Sequence, residues 1–175
     1  TVEAADQAAV YLRYRYAERG HSLDLATEVD NGLVARNVYN LFSIVDAKGD
    51  VVLSSKPFTP INLSDREHVQ VHMQGGEDKL FISKPVLGRV SKKWSLQLTR
   101  RINRPDGGFG GVVVVSIDPQ YFTSLYHQID VGHHGVITLL GADGVARVRR
   151  TGDMDSMGEQ VSGGKVYAAM LAQGS

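Results

Sequence analysis

The 175-residue chain is 42% apolar, enough to bury one substantial core or two small modules that share an interface, and too apolar for a disordered chain. Its 19 basic and 19 acidic residues cancel, so no overall field draws it to nucleic acid or an anionic bilayer, and charge can act only locally. Cysteine is absent, which excludes disulfides, thiolate catalysis and thiolate metal sites, and no apolar run approaches the roughly 20 residues of a membrane-spanning helix. The chain begins at Thr1 without an initiator Met and runs to Gly174 and Ser175, a pattern read as a fragment of a longer protein.

The first expected element is an amphipathic helix, with Val2, Ala5, Ala9, Leu12 and Tyr16 on one face. Gly20 weakens it, and Leu23, Leu25 and Val29 are spaced for its continuation toward the Asn31-Gly32 turn signal. Leu41 to Val45, Asp46-Ala-Lys-Gly49 and Val51 to Leu53 then read as strand, tight turn, strand. Beyond Pro57 and Pro60, Ser64 and Glu67 have the spacing of a capping box, predicting a helix from Asp65 to near Gly75-Gly76. Three strand-like runs follow, Leu80 to Val86, Trp94 to Ile102 and Phe109 to Ile117. The four consecutive valines in the last mark it as central in a sheet. Asp118-Pro119 opens a short helix through Tyr126.

This order predicts an α+β fold, a PAS-like plan in which a long N-terminal helix and further helices flank a five-stranded antiparallel sheet. The pattern then restarts. Val136 to Leu140, Gly141-Ala-Asp-Gly144 and Val145 to Arg149 repeat the first hairpin, with Gly144 lying 95 positions after Gly49. Three regions are therefore expected: 1–40 as helix and connection, 41–129 as the main module, and 130–175 as the start of a truncated second module.

The densest local charge lies between Lys79 and Arg104, where eight basic residues (Lys79, Lys84, Arg89, Lys92, Lys93, Arg100, Arg101 and Arg104) occur without an acid. Such a stretch either draws a carboxylate or phosphate by charge-assisted hydrogen bonds or forms a solvated sheet face. Strand alternation prevents all eight from converging, so most are expected at the surface with one or two turned inward. His68 and His72 share one helix face with Arg66 beside them. They lack a marked third ligand for a metal, and otherwise either donate to an anion or stand exposed. Trp94 shares strand parity with Leu96 and Leu98 and is expected in the core or as a pocket wall. Phe81 and Trp94 are the only aromatics on the basic strands, which argues against a nucleic-acid platform. No hydrolase elbow, phosphate-binding loop, zinc-protease or dinucleotide motif is present, so no catalytic residue, metal or cofactor is assigned.

Five segments carry a family resemblance: Phe-Ser-Ile-Val-Asp-Ala-Lys-Gly (42–49), Leu-Ser-Asp-Arg-Glu-His (63–68), Ile-Ser-Lys-Pro-Val-Leu-Gly-Arg (82–89), Lys-Trp-Ser-Leu-Gln-Leu-Thr-Arg-Arg (93–101) and Gly-Gly-Val-Val-Val-Val-Ser-Ile-Asp-Pro-Gln-Tyr-Phe (110–122). Together they resemble the extracytoplasmic double Cache sensors of bacterial signalling proteins, most closely those preceding GGDEF diguanylate cyclases. The resemblance implies a periplasmic sensor fragment at the bacterial inner membrane, whose parent carries membrane segments outside these residues. A ligand would bind in the distal module, and the N-terminal helix, paired in a homodimer, would relay the change.

Amino-acid-binding members place an Arg on the helix, an aromatic two positions later and an acid on the last strand. Here Arg66 matches the Arg, His68 stands where the Trp is expected, and Ser116 stands in place of the acid. A small anionic, carboxylate-like ligand is therefore implied, with Arg66, His68, His72, Lys84, Arg89, Trp94, Thr99, Arg101 and Ser116 as candidate contacts. The fragment itself is not expected to be an enzyme. The alternatives are the sensor of a histidine kinase, a ligand-free dimerisation module, and a small enzyme on a PAS-like sheet.

Overall fold

The computed structural model describes residues 2–33, 38–75 and 78–172. Helix α1 (Val2–Arg19) buries Ala5, Ala8, Ala9 and Leu12, short side chains that bring its axis close to the layer beneath. It does not continue through Leu23 and Val29. The Ser22 hydroxyl donates to the Arg19 carbonyl at 2.7 Å, closing the helix after Gly20, and Asp24 starts a new helix by accepting from the Ala26 and Thr27 amides at 3.0 and 3.1 Å. That helix, α2 (Leu25–Glu28), passes into a π-type turn at Val29–Leu33.

The main sheet contains β1 (Tyr39–Asp46), β2 (Val51–Ser54), β3 (Phe81–Ile82), β4 (Val86–Leu87), β5 (Trp94–Asn103) and β6 (Phe109–Ile117). All pairs are antiparallel, in the order β2-β1-β6-β5-β3, with β4 also paired to β5. The run Leu80 to Val86, expected as one strand, is thus two short ones separated at Ser83-Lys84-Pro85. Proline has no amide hydrogen to give the ladder, and the Ser83 hydroxyl substitutes for a carbonyl by accepting from the Gln97 amide at 2.9 Å. The five-stranded plan holds in outline, since β3 and β4 follow one another along the same edge of β5.

β6 lies centrally, as its valines predicted, and Gly111 to Ile117 are all buried. Val113, Val115 and Ile117 pack with Phe42, Ile44, Leu96 and Leu98 on the α1 side. Val112 and Val114 pack with Val45, Leu63 and Val69 on the other side, beneath α3 (Glu67–Met73). The Arg100 guanidinium fixes α1 to the sheet by pairing with both Asp6 oxygens at 2.6 and 2.7 Å. Its remaining nitrogen donates to the Asp78 carbonyl at 2.7 Å.

The start of α3 departs from the expected capping box. The Ser64 hydroxyl donates to Asn62 Oδ1 at 2.6 Å and so does not cap; the N-cap is Arg66, and the helix begins two residues later than predicted. It ends at Met73. Gly76, the other predicted terminus, lies outside the described residues. Helix α4 (Pro119–Tyr126) begins as expected, with Asp118 accepting from the Gln120 amide at 2.9 Å and proline in the first turn.

The repeated pattern forms a second sheet of β7 (Val136–Leu140), β8 (Ala146–Thr151) and β9 (Met154–Ser156), followed by α5 (Lys165–Ala172). The repeat extends beyond the hairpin. In the first unit the Leu63 amide donates to the Gly49 carbonyl at 2.7 Å, and in the second the Val161 amide donates to Gly144 at 2.8 Å. The Asn62 amide group reaches the Lys48 carbonyl at 3.1 Å, and Gln160 reaches Asp143 at 3.3 Å. Gly49 and Gly144 both have positive φ, and a Cβ on either would meet the Cβ of Ser64 or Ser162 at 2.6 or 2.7 Å.

Both glycines are therefore fixed by conformation and by contact. Gly49→Ala is expected to lower the unfolding free energy by about 3 kcal/mol in denaturant titrations. Gly144→Ala should instead leave the main transition in place and accelerate amide hydrogen exchange only within residues 136–172.

Candidate functional site

The face of the sheet beneath α3 is not wholly apolar. Strand alternation sends Leu41 and Ser43 of β1, Gln97 and Thr99 of β5, and Val114 and Ser116 of β6 to this side. Two contacts satisfy part of this polar floor. The Ser116 hydroxyl donates to Gln97 Oε1 at 2.6 Å. His72 Nε2 lies 2.8 Å from the Thr99 hydroxyl, which in turn donates to the His68 carbonyl at 3.2 Å.

One turn before His72 along α3, a cavity opens over this floor. Leu41, Ser43, Gln97, Val114 and Ser116 form its base; Leu63, Arg66 and His68 form one wall; Gly88, Arg89, Val90 and Ser91, from the turn between β4 and β5, form the roof. Its free volume is about 20 Å³, space for about one water molecule. Among the described residues no carboxylate lines it.

His68 is the unusual member. It is only 4% exposed, and neither ring nitrogen makes a hydrogen bond to protein among the described residues, whereas in its neighbour His72 Nε2 pairs with the Thr99 hydroxyl. Burial, reinforced by the positive charges of Arg66, His72 and Arg89, pushes the His68 pKa down to about 4. At neutral pH the ring is therefore uncharged and has one donor and one acceptor to offer. Arg66 and Arg89 supply the positive charge. Arg66 Nη2 donates to the Leu87 carbonyl at 3.0 Å, and Arg89 pairs with Asp65 outside the cavity lining.

Of the nine residues proposed from sequence, the structure brings Arg66, His68, Arg89 and Ser116 into this cavity. His72 and Thr99 lie next to it as the clamp that ties α3 to β5. Arg101 donates to the His72 carbonyl, to Asn103 Oδ1 at 2.7 Å, and stacks over Phe109, so it secures the end of α3. Lys84 points elsewhere, 3.9 Å from Asp143 in the second unit. Trp94 corrects an expectation. It is 52% exposed, because as the first residue of β5 it stands beyond the core cluster that takes Leu96 and Leu98.

The sequence reading missed Ser43, Gln97, Leu63 and Ser91. The signal was present in the strands themselves: Ser43, Gln97 and Ser116 are small or neutral polar residues at inward positions of otherwise apolar runs.

No family model and no curated protein matches the chain. Solved structures do. The extracellular domain of rpHK1S-Z16, assigned to a histidine kinase, matches with a TM-score of 0.71 and 29% identity, over 85% of this chain and 60% of that one. An extracellular ligand-binding receptor from Desulfohalobium retbaense matches with 0.67 and 18%, over 98% and 31%. The ligand-binding domain of the Pseudomonas aeruginosa chemoreceptor PctC, solved with GABA, matches with 0.56 and 14%, over 83% and 67%. The chain has the fold of the Cache-type extracellular sensor domains. It spans only 60% and 31% of the length of the first two. Within this sensor fold the cavity occupies the side of the sheet opposite the long helix, and no described helix is long and apolar enough to cross a membrane.

The depressed pKa of His68 has a definite sign. In the unfolded chain histidine titrates near 6.5, and in the folded chain burial pushes His68 down to about 4. Between those values the unfolded state binds a proton that the folded state refuses, so stability is full above pH 6.5 and is lost as pH falls toward 4. The loss attributable to His68 is on the order of 3 kcal/mol, and burial of His72 acts in the same direction. Denaturant titrations between pH 7.5 and 4.5 should show this decline, with a clearly shallower slope in His68→Gln. An unchanged slope would assign the dependence elsewhere.

Proposed function

We propose that the chain is the extracytoplasmic ligand-binding domain of a membrane-anchored signalling protein, and that it takes a small carboxylate into the cavity beneath α3. The observation that carries this reading is His68, buried and neutral without a protein hydrogen bond, in a cavity that two guanidinium groups line and no acid enters. The neutral imidazole has a donor and an acceptor that no protein group among the described residues takes up, and a ligand oxygen or hydroxyl would pair with one of them. Arg66 and Arg89 provide paired donors for a carboxylate, with Gln97, Ser43 and Ser116 as neutral partners for the rest of the molecule. GABA, with which PctC was solved, carries such a carboxylate. The absence of an acid in the lining disfavours an ammonium group, so a carboxylic, hydroxy or keto acid fits better than an amino acid.

The cavity as it stands is too small for such a molecule, so binding requires its roof to lift. Ligand then biases one arrangement of roof, α3 and sheet, by the difference of its affinities for the two. β5 carries the bias across the sheet, since Gln97 and Thr99 face the site while Arg100 on the opposite face holds Asp6 of α1. α1 presents Val10 and Tyr14, 40% and 60% exposed, as the face through which two copies would pair. Residues 130–175 are read as the start of a membrane-proximal module, in keeping with the repeat of the first hairpin and its following loop. The sequence resemblance favours a diguanylate cyclase as the output, and the likeness to rpHK1S-Z16 favours a histidine kinase. The fragment itself breaks no bond in this reading.

Calorimetric titration with acetate, pyruvate, lactate and succinate is expected to detect binding of at least one. Arg66→Ala should weaken it at least tenfold, the size expected for losing a charge-assisted pair. A ligand-free dimerisation module would show no heat with any of them. Pairing through α1 predicts that Val10→Glu with Tyr14→Glu lowers the sedimentation coefficient to that of a monomer without loss of carboxylate binding.

A further inference from the structure

The roof of the cavity is held down by two adjacent residues at the start of α3. Arg89 in the roof places its guanidinium against Asp65 as a fork, Nη1 to Oδ1 at 2.6 Å and Nη2 to Oδ2 at 2.5 Å, and Nη1 also donates to the Asn62 carbonyl at 3.0 Å. Arg66 donates in the opposite direction, to the Leu87 carbonyl at 3.0 Å. The roof between these anchors is a compact turn. The Gly88 amide donates to the Lys93 carbonyl at 2.9 Å, the Lys92 amide returns to Gly88 at 3.0 Å, and Lys92 has a φ of 56°.

The position of Asp65 decides what this closure means. Arg89 lines the cavity but Asp65 does not, so one guanidinium at the rim looks both inward to the ligand space and outward to a carboxylate of the chain itself. Resting on the ligand reading above, we infer that Asp65 is a built-in competitor: its carboxylate occupies the Arg89 fork that a ligand carboxylate takes, so binding is an exchange of one carboxylate for another that frees the roof from α3.

The energetics suit an exchange. Asp65 is 61% exposed and Arg89 36% at their side chains, and an ion pair this wet is worth only a few-fold in an equilibrium. It holds the roof closed in the empty protein yet yields to a carboxylate that meets the same guanidinium in drier surroundings, where the attraction is stronger. Arg89 in turn holds the Asp65 carboxyl below its ordinary range, so the competitor stays charged at neutral pH. Asp65 thereby sets affinity and selects against weak or uncharged ligands, although it touches none.

The test compares the wild type, Asp65→Asn and Arg89→Ala. Asp65→Asn keeps the size of the residue at an exposed position and removes the competing charge together with one of the two acceptors of the fork. Calorimetry with acetate, pyruvate, lactate and succinate is run beside hydrogen exchange of the ligand-free proteins over residues 86–93. The expected result is roughly fivefold tighter binding in Asp65→Asn, loss of binding in Arg89→Ala, and faster exchange of the roof in both. Unchanged roof exchange in Asp65→Asn overturns the inference, as does equal or weaker binding by that variant when the wild type binds; in both cases the ligand reading stands. If roof exchange rises but none of the four acids binds any variant, the ligand class itself fails, and the competitor role fails with it.

Discussion

The molecule is organised around a strand that water does not reach from either side. From Gly111 to Ile117 every residue of β6 is buried, and such a strand is stable only if both faces of its sheet are covered. The two covers differ. On one side α1 presents three alanines and a leucine, which allow close approach to an apolar surface that Arg100 interrupts to hold Asp6. On the other side α3 is short and covers a surface that includes Ser43, Gln97, Thr99 and Ser116, all buried.

A dry polar surface must find its hydrogen bonds inside the protein, and here its side chains pair with one another and with α3. Thr99 is matched by His72, and Ser116 by Gln97. At His68 the matching stops, and there the cavity lies. The site is the place where the second cover leaves space above a polar floor. Its charge follows from the same geometry: α3 begins beside the β4–β5 turn, so Arg66 and Arg89 are brought to the same rim from opposite directions.

Much of the fold was legible because it is written in local chemistry. The hairpin glycine, the four valines and the Asp-Pro helix start each act within a few residues, and the hairpin, β5, β6 and α4 lie close to their predicted bounds. The failures have one cause. Ser64 had a capping spacing but gave its hydroxyl to Asn62, a residue whose importance comes from the hairpin 12 to 14 positions away. Trp94 had the parity of a core residue but stood past the end of the core. Pro85 interrupted a strand that hydropathy alone had made continuous. The candidate site was half legible for the same reason: Arg66 and His68 announced themselves on a helix, whereas Ser43 and Gln97 look unremarkable until the strand order places them on one floor.

The basic run between Lys79 and Arg104 shows why local charge misleads. It contains no acid of its own, yet Arg100 is paired with Asp6, 94 positions away, and Arg89 with Asp65, 24 positions away; Lys84 approaches Asp143. The fold brings acids from outside the run to most of the arginines and so offsets much of its charge. What is left positive is decided by where each acid sits relative to the cavity wall. Asp6 meets Arg100 on the far side of the sheet, so that pair closes a structural account. Asp65 meets Arg89 at the rim of the cavity that Arg66 and His68 also line, so two cationic side chains border an interior space whose lining, among the described residues, contains no acid.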